Sequence, residues 1–145
     1  MRAALGPAGR RTDWLERRDR FTDPDIETRA MPEPLAVLKG TLDMLVLNAL
    51  TWQPMHGFAL TRWLEVRSGR RLALEDAALY QALYRMEKRG LVEAEWGVSE
   101  QNRRARYYRI TAAGESELAR QKAWWLRYAD TVTALVSEMP GAAEP

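Results

Sequence analysis

The sequence has no cysteine and, among 145 residues, a single histidine. The first absence excludes disulfides, thiolate metal sites, cysteine nucleophiles and thiol redox sensing together. The second excludes a His-rich metal centre and any mechanism that needs two imidazoles. Long hydrophobic runs are missing too. No window approaches the ~18 apolar residues of a membrane span, and the N-terminus lacks a signal-peptide core. A soluble cytoplasmic protein, with no membrane partner and no cofactor, is the expectation. No Ser-His-Asp set or phosphate-cradling loop is present. Glu93, Glu95 and Glu100 resemble an acid/base group only superficially, because the first two fit the solvent face of a strand. No enzyme is expected.

What is present is a chain long enough for one domain with an appendage, 46% hydrophobic and with six tryptophans. The net charge of +2 hides an uneven distribution. Residues 1–35 carry seven basic and seven acidic side chains, whereas residues 57–109 carry eleven and seven. Arg103, Arg104, Arg106 and Arg109 fall within seven positions with no acid between them. Taken alone, such a cluster reads first as a solvated face; its place in the architecture decides its meaning.

Residues 1–34 form an N-terminal extension poor in core residues, with a short helix expected from about Asp13 to Phe21. Met31 stands just ahead of the patterned region and is a candidate start of translation, which would leave residues 1–30 out of the cellular protein. From Leu38 the pattern sharpens. Thr41–Leu50 is apolar around most of a helix and belongs in the centre of a small core. Pro54 and Gly57 mark a turn that the lone His56 is expected to order. A second helix from Gly57 to Ser68 carries Leu60 and Leu64, and Leu72–Leu74 is a short extended piece.

A third helix, about Glu75 to Arg89, sets Leu79, Ala82, Leu83 and Met86 on one inward face. Its outward face holds Ala77, Ala78, Tyr80, Gln81, Tyr84, Arg85 and Lys88. Two strands follow, Leu91–Trp96 and Arg104–Ile110, joined by a projecting polar loop, with Trp96 expected as core or wing support. A last helix from Ala112 repeats Leu118, Trp125, Ala129, Val132, Val136 and Met139 at spacings of 7, 4, 3, 4 and 3. That near-heptad stripe, too wide for one small domain to cover, implies a partner helix, most simply from a second copy. Trp124, Trp125 and Tyr128 leave two readings open. They pack, or they stack on a small aromatic effector.

Helix, helix, helix, two-stranded wing, helix is the order of a winged helix-turn-helix, a mainly α (α+β) fold. The domains are then residues 35–111, a dimerisation helix at 112–139 and a tail at 140–145. The third helix is of a size to enter a major groove, and Ala77 and Ala78 let its backbone approach the bases. Gln81 suits an adenine edge or a phosphate, and Arg85 suits a phosphate. The wing delivers Asn102, Arg103, Arg104 and Arg106 to the backbone or a minor groove. A protein-interaction module on the same scaffold, without DNA binding, is the rival reading.

Four blocks carry a resemblance: Leu38-Lys39-Gly40-Thr41-Leu42; Met55-His56-Gly57-Phe58; Leu79-Tyr80-Gln81-Ala82-Leu83 with Glu87-Lys88-Arg89-Gly90-Leu91; and Tyr107-Tyr108-Arg109-Ile110-Thr111-Ala112-Ala113-Gly114. Together they resemble the PadR family of bacterial transcriptional regulators, over about 38–114. The resemblance implies a dimer held by its C-terminal helix that represses by occupying a palindromic DNA operator. With only some ~35 residues after the wing, the chain is similar to the subfamily with a single C-terminal helix. Some members resembling it bind flat aromatic molecules between tryptophans at the dimer centre. One departure stands out. Where the family opens its recognition helix with a Ser or Thr cap, this chain has Glu75-Asp76-Ala77-Ala78, with Asp76 as the expected cap and two carboxylates opposing a phosphate.

Overall fold

The computed structural model describes residues 33–138 and 140–141. The helix expected at 13–21, the candidate start Met31 and the seam residue Met139 lie outside them. The order of elements is β1 (Leu35–Ala36), α1 (Leu42–Leu50), β2 (Met55–His56), α2 (Gly57–Arg67), β3 (Leu72–Ala73), α3 (Asp76–Lys88), β4 (Val92–Val98), β5 (Arg104–Ile110) and α4 (Ala112–Val136). None of the helices described is long and apolar enough to cross a membrane.

The core lies where α1, α2 and α3 meet the base of the β4–β5 hairpin. Val46, Leu47 and Leu50 from α1 pack with Leu60 and Leu64 from α2 and with Val92 and Tyr108 from the hairpin. The inward face of α3 is the one its spacing predicts: Leu79, Ala82, Leu83 and Met86 are all buried. Each large aliphatic side chain so buried contributes roughly 1.5–3 kcal/mol. Gly90, at φ +75°, closes α3 in the left-handed conformation that glycine adopts without penalty.

Two pairings exceed what the sequence reading anticipated. β1 pairs in parallel with β3. β2 joins β5 antiparallel, so the hairpin is part of a three-stranded sheet ordered β2-β5-β4. A two-residue strand offers no alternation to read, which is why residues 55–56 were legible only as a turn. His56 does order that turn: its Nδ1 accepts the N–H of Ala59 at 3.2 Å and so caps α2. Gly57 beside it lets the half-exposed Tyr80 ring lie against the backbone, where a Cβ would push that side chain aside.

The hairpin differs from expectation at its tip. β4 continues through Gly97 to Val98, leaving a loop of residues 99–103. Asn102 turns the loop at φ +59°, a conformation asparagine tolerates, and its N–H donates to the Ser99 carbonyl at 2.9 Å. Trp96 is not a core residue. It is 57% exposed, and the Arg104 guanidinium lies 4.4 Å from its ring centroid. It sits opposite Arg106 in register, beyond the point where the hairpin leaves the helices, and so supports the wing from outside.

At the hairpin's other end the chain is knotted tightly to α4. The Thr111 hydroxyl donates to the Gly90 carbonyl at 2.7 Å and accepts the Gly114 N–H at 3.0 Å, capping α4. Gly114 presses against the Leu91 carbonyl so closely that no Cβ fits. Leu118 is the last buried residue of α4. Beyond it the helix runs on with Trp124, Leu126, Tyr128, Val132, Leu135 and Val136 all exposed.

Candidate nucleic-acid interface

The surface begins with α3. Its inward stripe is consumed by the core, so Ala77, Tyr80, Gln81, Tyr84, Arg85 and Lys88 are left exposed, with Ala78 half-buried. The N-cap is Glu75 and not the expected Asp76, and no side chain caps the helix. Extended backbone at Glu75 (φ −103°, ψ 131°) puts Asp76 already inside the first turn, where its carboxylate faces the helix's positive end instead of closing it.

Two of the cations on this face have protein partners. Arg85 donates to Asp43 of α1 at 2.9 Å. The Lys88 ammonium lies 5.2 Å from the Tyr84 ring centroid. Such exposed contacts are weak and exchange readily for a phosphate. Tyr80 leans across Gly57 onto the start of α2, half exposed.

The wing supplies the other half. Alternation along β5 splits the arginine cluster between two faces. Arg106 turns towards α3 and grips Glu87 through two hydrogen bonds, 3.0 and 2.7 Å. Glu87 hydrogen bonding holds the Arg106 pKa above its ordinary value. Arg109 faces away and is held by Glu93 at 2.6 Å and Glu95 at 3.4 Å. The four arginines adjacent in sequence are therefore not one patch. Asn102, Arg103 and Arg104 are exposed at the tip.

Tyr80, Trp96, Arg103, Arg104 and Arg106 line one groove of about 570 Å³ between the start of α3 and the wing. This open, cationic and aromatic channel joins the two elements that the sequence had assigned to one ligand. Its chemistry suits a polyanion with flat bases.

A family model for the Transcriptional regulator PadR-like family matches residues 46–120. The chain belongs to this family. Members are transcriptional regulators, not enzymes. A PadR family transcriptional regulator from Eggerthella lenta is 33% identical, with a TM-score of 0.60 over 70% of this chain and 86% of that one. The PadR-like regulator from Bacillus cereus is 26% identical, with a TM-score of 0.62 over 70% and 97%. An uncharacterised protein of Lysinibacillus sphaericus is 26% identical across 89 residues, 61% of this chain and 82% of its own. As a PadR regulator, the chain adds one helix after its wing among the described residues.

On that helix the proposed seam divides. Leu118 is spent in its own domain's core, 6% exposed, so it is withdrawn from the set available to a partner. Trp125 and Ala129 are half-buried, and Val132 and Val136 face solvent. Trp124 and Tyr128, one helical turn apart, stack at 5.1 Å with an interplanar angle of 11°. Trp125 meets the same tyrosine at 6.3 Å and 37°. The sequence reading missed the Arg106–Glu87 tie; nineteen residues of separation leave no local signal for it.

Proposed function

We propose that this PadR regulator is a homodimeric, cytoplasmic, sequence-specific DNA-binding repressor. The observation that carries the reading is the shared groove: Tyr80 of α3 and Arg103, Arg104 and Arg106 of the wing line one channel. In this reading α3 enters the major groove, with Ala77, Ala78, Gln81 and Tyr84 towards base edges and Arg85 and Lys88 towards phosphates. Asn102, Arg103 and Arg104 reach the adjoining backbone.

The exposed apolar stripe of α4 supports self-association, since Val132, Leu135 and Val136 are left exposed among the described residues. Two copies of α3 related by a two-fold axis read half-sites one helical turn apart (~34 Å) or a multiple. Trp125 then lies in the seam with Trp124 and Tyr128 beside it, and a flat aromatic effector stacking there releases the operator. Saturable quenching of tryptophan fluorescence by planar aromatic cations, lost in Trp124→Ala, tests that part.

Selection of bound sequences from a random duplex pool tests the whole. A palindromic consensus, with affinity falling steeply as salt rises, is expected. Absence of duplex binding even at low salt would overturn the reading and favour a protein-interaction module.

A further inference from the structure

Strand β5 carries three arginines, and they are held in two different ways. Arg106 and Arg109 are gripped by carboxylates, Glu87 for the first and Glu93 with Glu95 for the second. Arg104 is held by a ring instead: its guanidinium lies over Trp96, 4.4 Å from the ring centroid. Among the described residues no carboxylate pairs with it. Register explains the arrangement. Trp96 stands opposite Arg106 and Val98 opposite Arg104, so alternation puts all of them on the α3 side of the hairpin. Arg106 turns to Glu87, and the indole is left to its diagonal neighbour, a separation that aromatic and long side chains span.

The two ways of holding a cation differ in what they leave for a ligand. A carboxylate orients a guanidinium by offsetting its charge, and a phosphate must then displace the acid. A ring attracts the cation through its negative face and carries no net charge. The N–H donors all lie in the guanidinium plane, so an arginine lying over a ring keeps them for a ligand at its edge. It also has less rotamer freedom left to lose when that ligand arrives. Trp96 is 57% exposed and lines the same groove as Tyr80, Arg104 and Arg106, which places it at the interface and not in the core.

We propose that Trp96 is a positioning residue for DNA: it holds Arg104 oriented, with its charge intact, for a phosphate beside the wing. The inference rests on the DNA-binding reading and deepens it, since Trp96 acts through Arg104 and not through a contact of its own.

A double-mutant cycle on the full-length protein tests this, read by fluorescence anisotropy of a labelled random-sequence duplex at fixed low salt. Trp96→Leu should weaken binding about threefold to tenfold, the range for one long side chain that must be ordered on binding. Trp96→Phe, which keeps a flat face, should stay within about twofold of wild type. In an Arg104→Ala background, Trp96→Leu should weaken binding no further, whereas a ring that merely stiffened the wing would be missed equally in both backgrounds. Should Trp96→Leu fail to melt cooperatively by circular dichroism, Trp96→Thr, a residue at home in an exposed strand, takes its place in the cycle. Unchanged affinity on loss of the ring, or the same loss with and without Arg104, overturns the proposal and leaves the DNA-binding reading standing. Absence of duplex binding by the wild-type protein overturns both.

Discussion

The Arg106 guanidinium and the Glu87 carboxylate meet fork to fork, joining β5 of the wing to the outward flank of α3. A paired arginine held this way is a positioning group first and a phosphate ligand second. The wing is thus oriented by the helix it serves.

Arg106→Lys should therefore weaken duplex binding although charge is kept, because an ammonium cannot make both bonds. Arg103→Ala and Arg104→Ala should instead lower affinity about equally for all sequences. Each should reduce the slope of log affinity against log salt by about 1. Fluorescence anisotropy across a salt series, on operator and random duplex, separates the two behaviours. Equal salt slopes in wild type and both alanine variants would remove the wing tip from the interface.

Arg85 is held back by Asp43 at 2.9 Å, and Asp76 adds a second carboxylate at the start of α3. Asp43→Asn and Asp76→Ser should each raise duplex affinity at fixed salt, by about twofold to tenfold, as one opposing charge is removed. An unchanged or lower affinity in both would show that α3 does not approach phosphate from this side.

For α4, Val132→Asp places a charge on the exposed stripe. Sedimentation should then give a monomer that retains its folded circular dichroism. Its operator affinity should fall by about a hundredfold or more, because two linked half-sites become one. A dimer that persists in this variant would move the seam elsewhere.

Glu117 supplies a prediction in pH. Hydrogen bonds from Arg120 and Gln121 hold its pKa down to about 2 from an ordinary 4.5, with Arg89 adding charge at 4.0 Å. A lowered folded-state value stabilises the native protein above the unfolded-state pKa, and that contribution is lost as pH falls towards 2. Glu117→Gln should thus be clearly less stable than wild type at pH 7, by about 1–2 kcal/mol. The gap should narrow steadily between pH 5 and pH 2 in urea titrations. A gap independent of pH would mean that the charge itself contributes nothing.

The helices and the wing were legible because their periodicities are long enough to count, and α3 buries the four residues its spacing selected. What escaped was short or non-local. β2 has two residues, and Trp96 obeys strand alternation yet lies past the end of the core that would cover it. Leu118 fits the heptad stripe and also the domain core, and only three-dimensional packing decides between them. Arg109 looks like a neighbour of Arg106 in sequence, but strand parity sends it to the opposite face and into the carboxylates of Glu93 and Glu95. Charge counting along a strand overstates a patch about twofold for this reason.

The Thr111 and Gly114 contacts fasten the root of α4 to the stretch where α3 stops. In the proposed dimer, α4 would work as the arm of a caliper whose jaws are the two copies of α3. Inserting one residue after Leu118 would swing everything beyond it by about 100° and lengthen the arm by about 1.5 Å. On the proposed reading, the reach of the caliper, and with it the spacing of the half-sites it fits, is set by the length of α4.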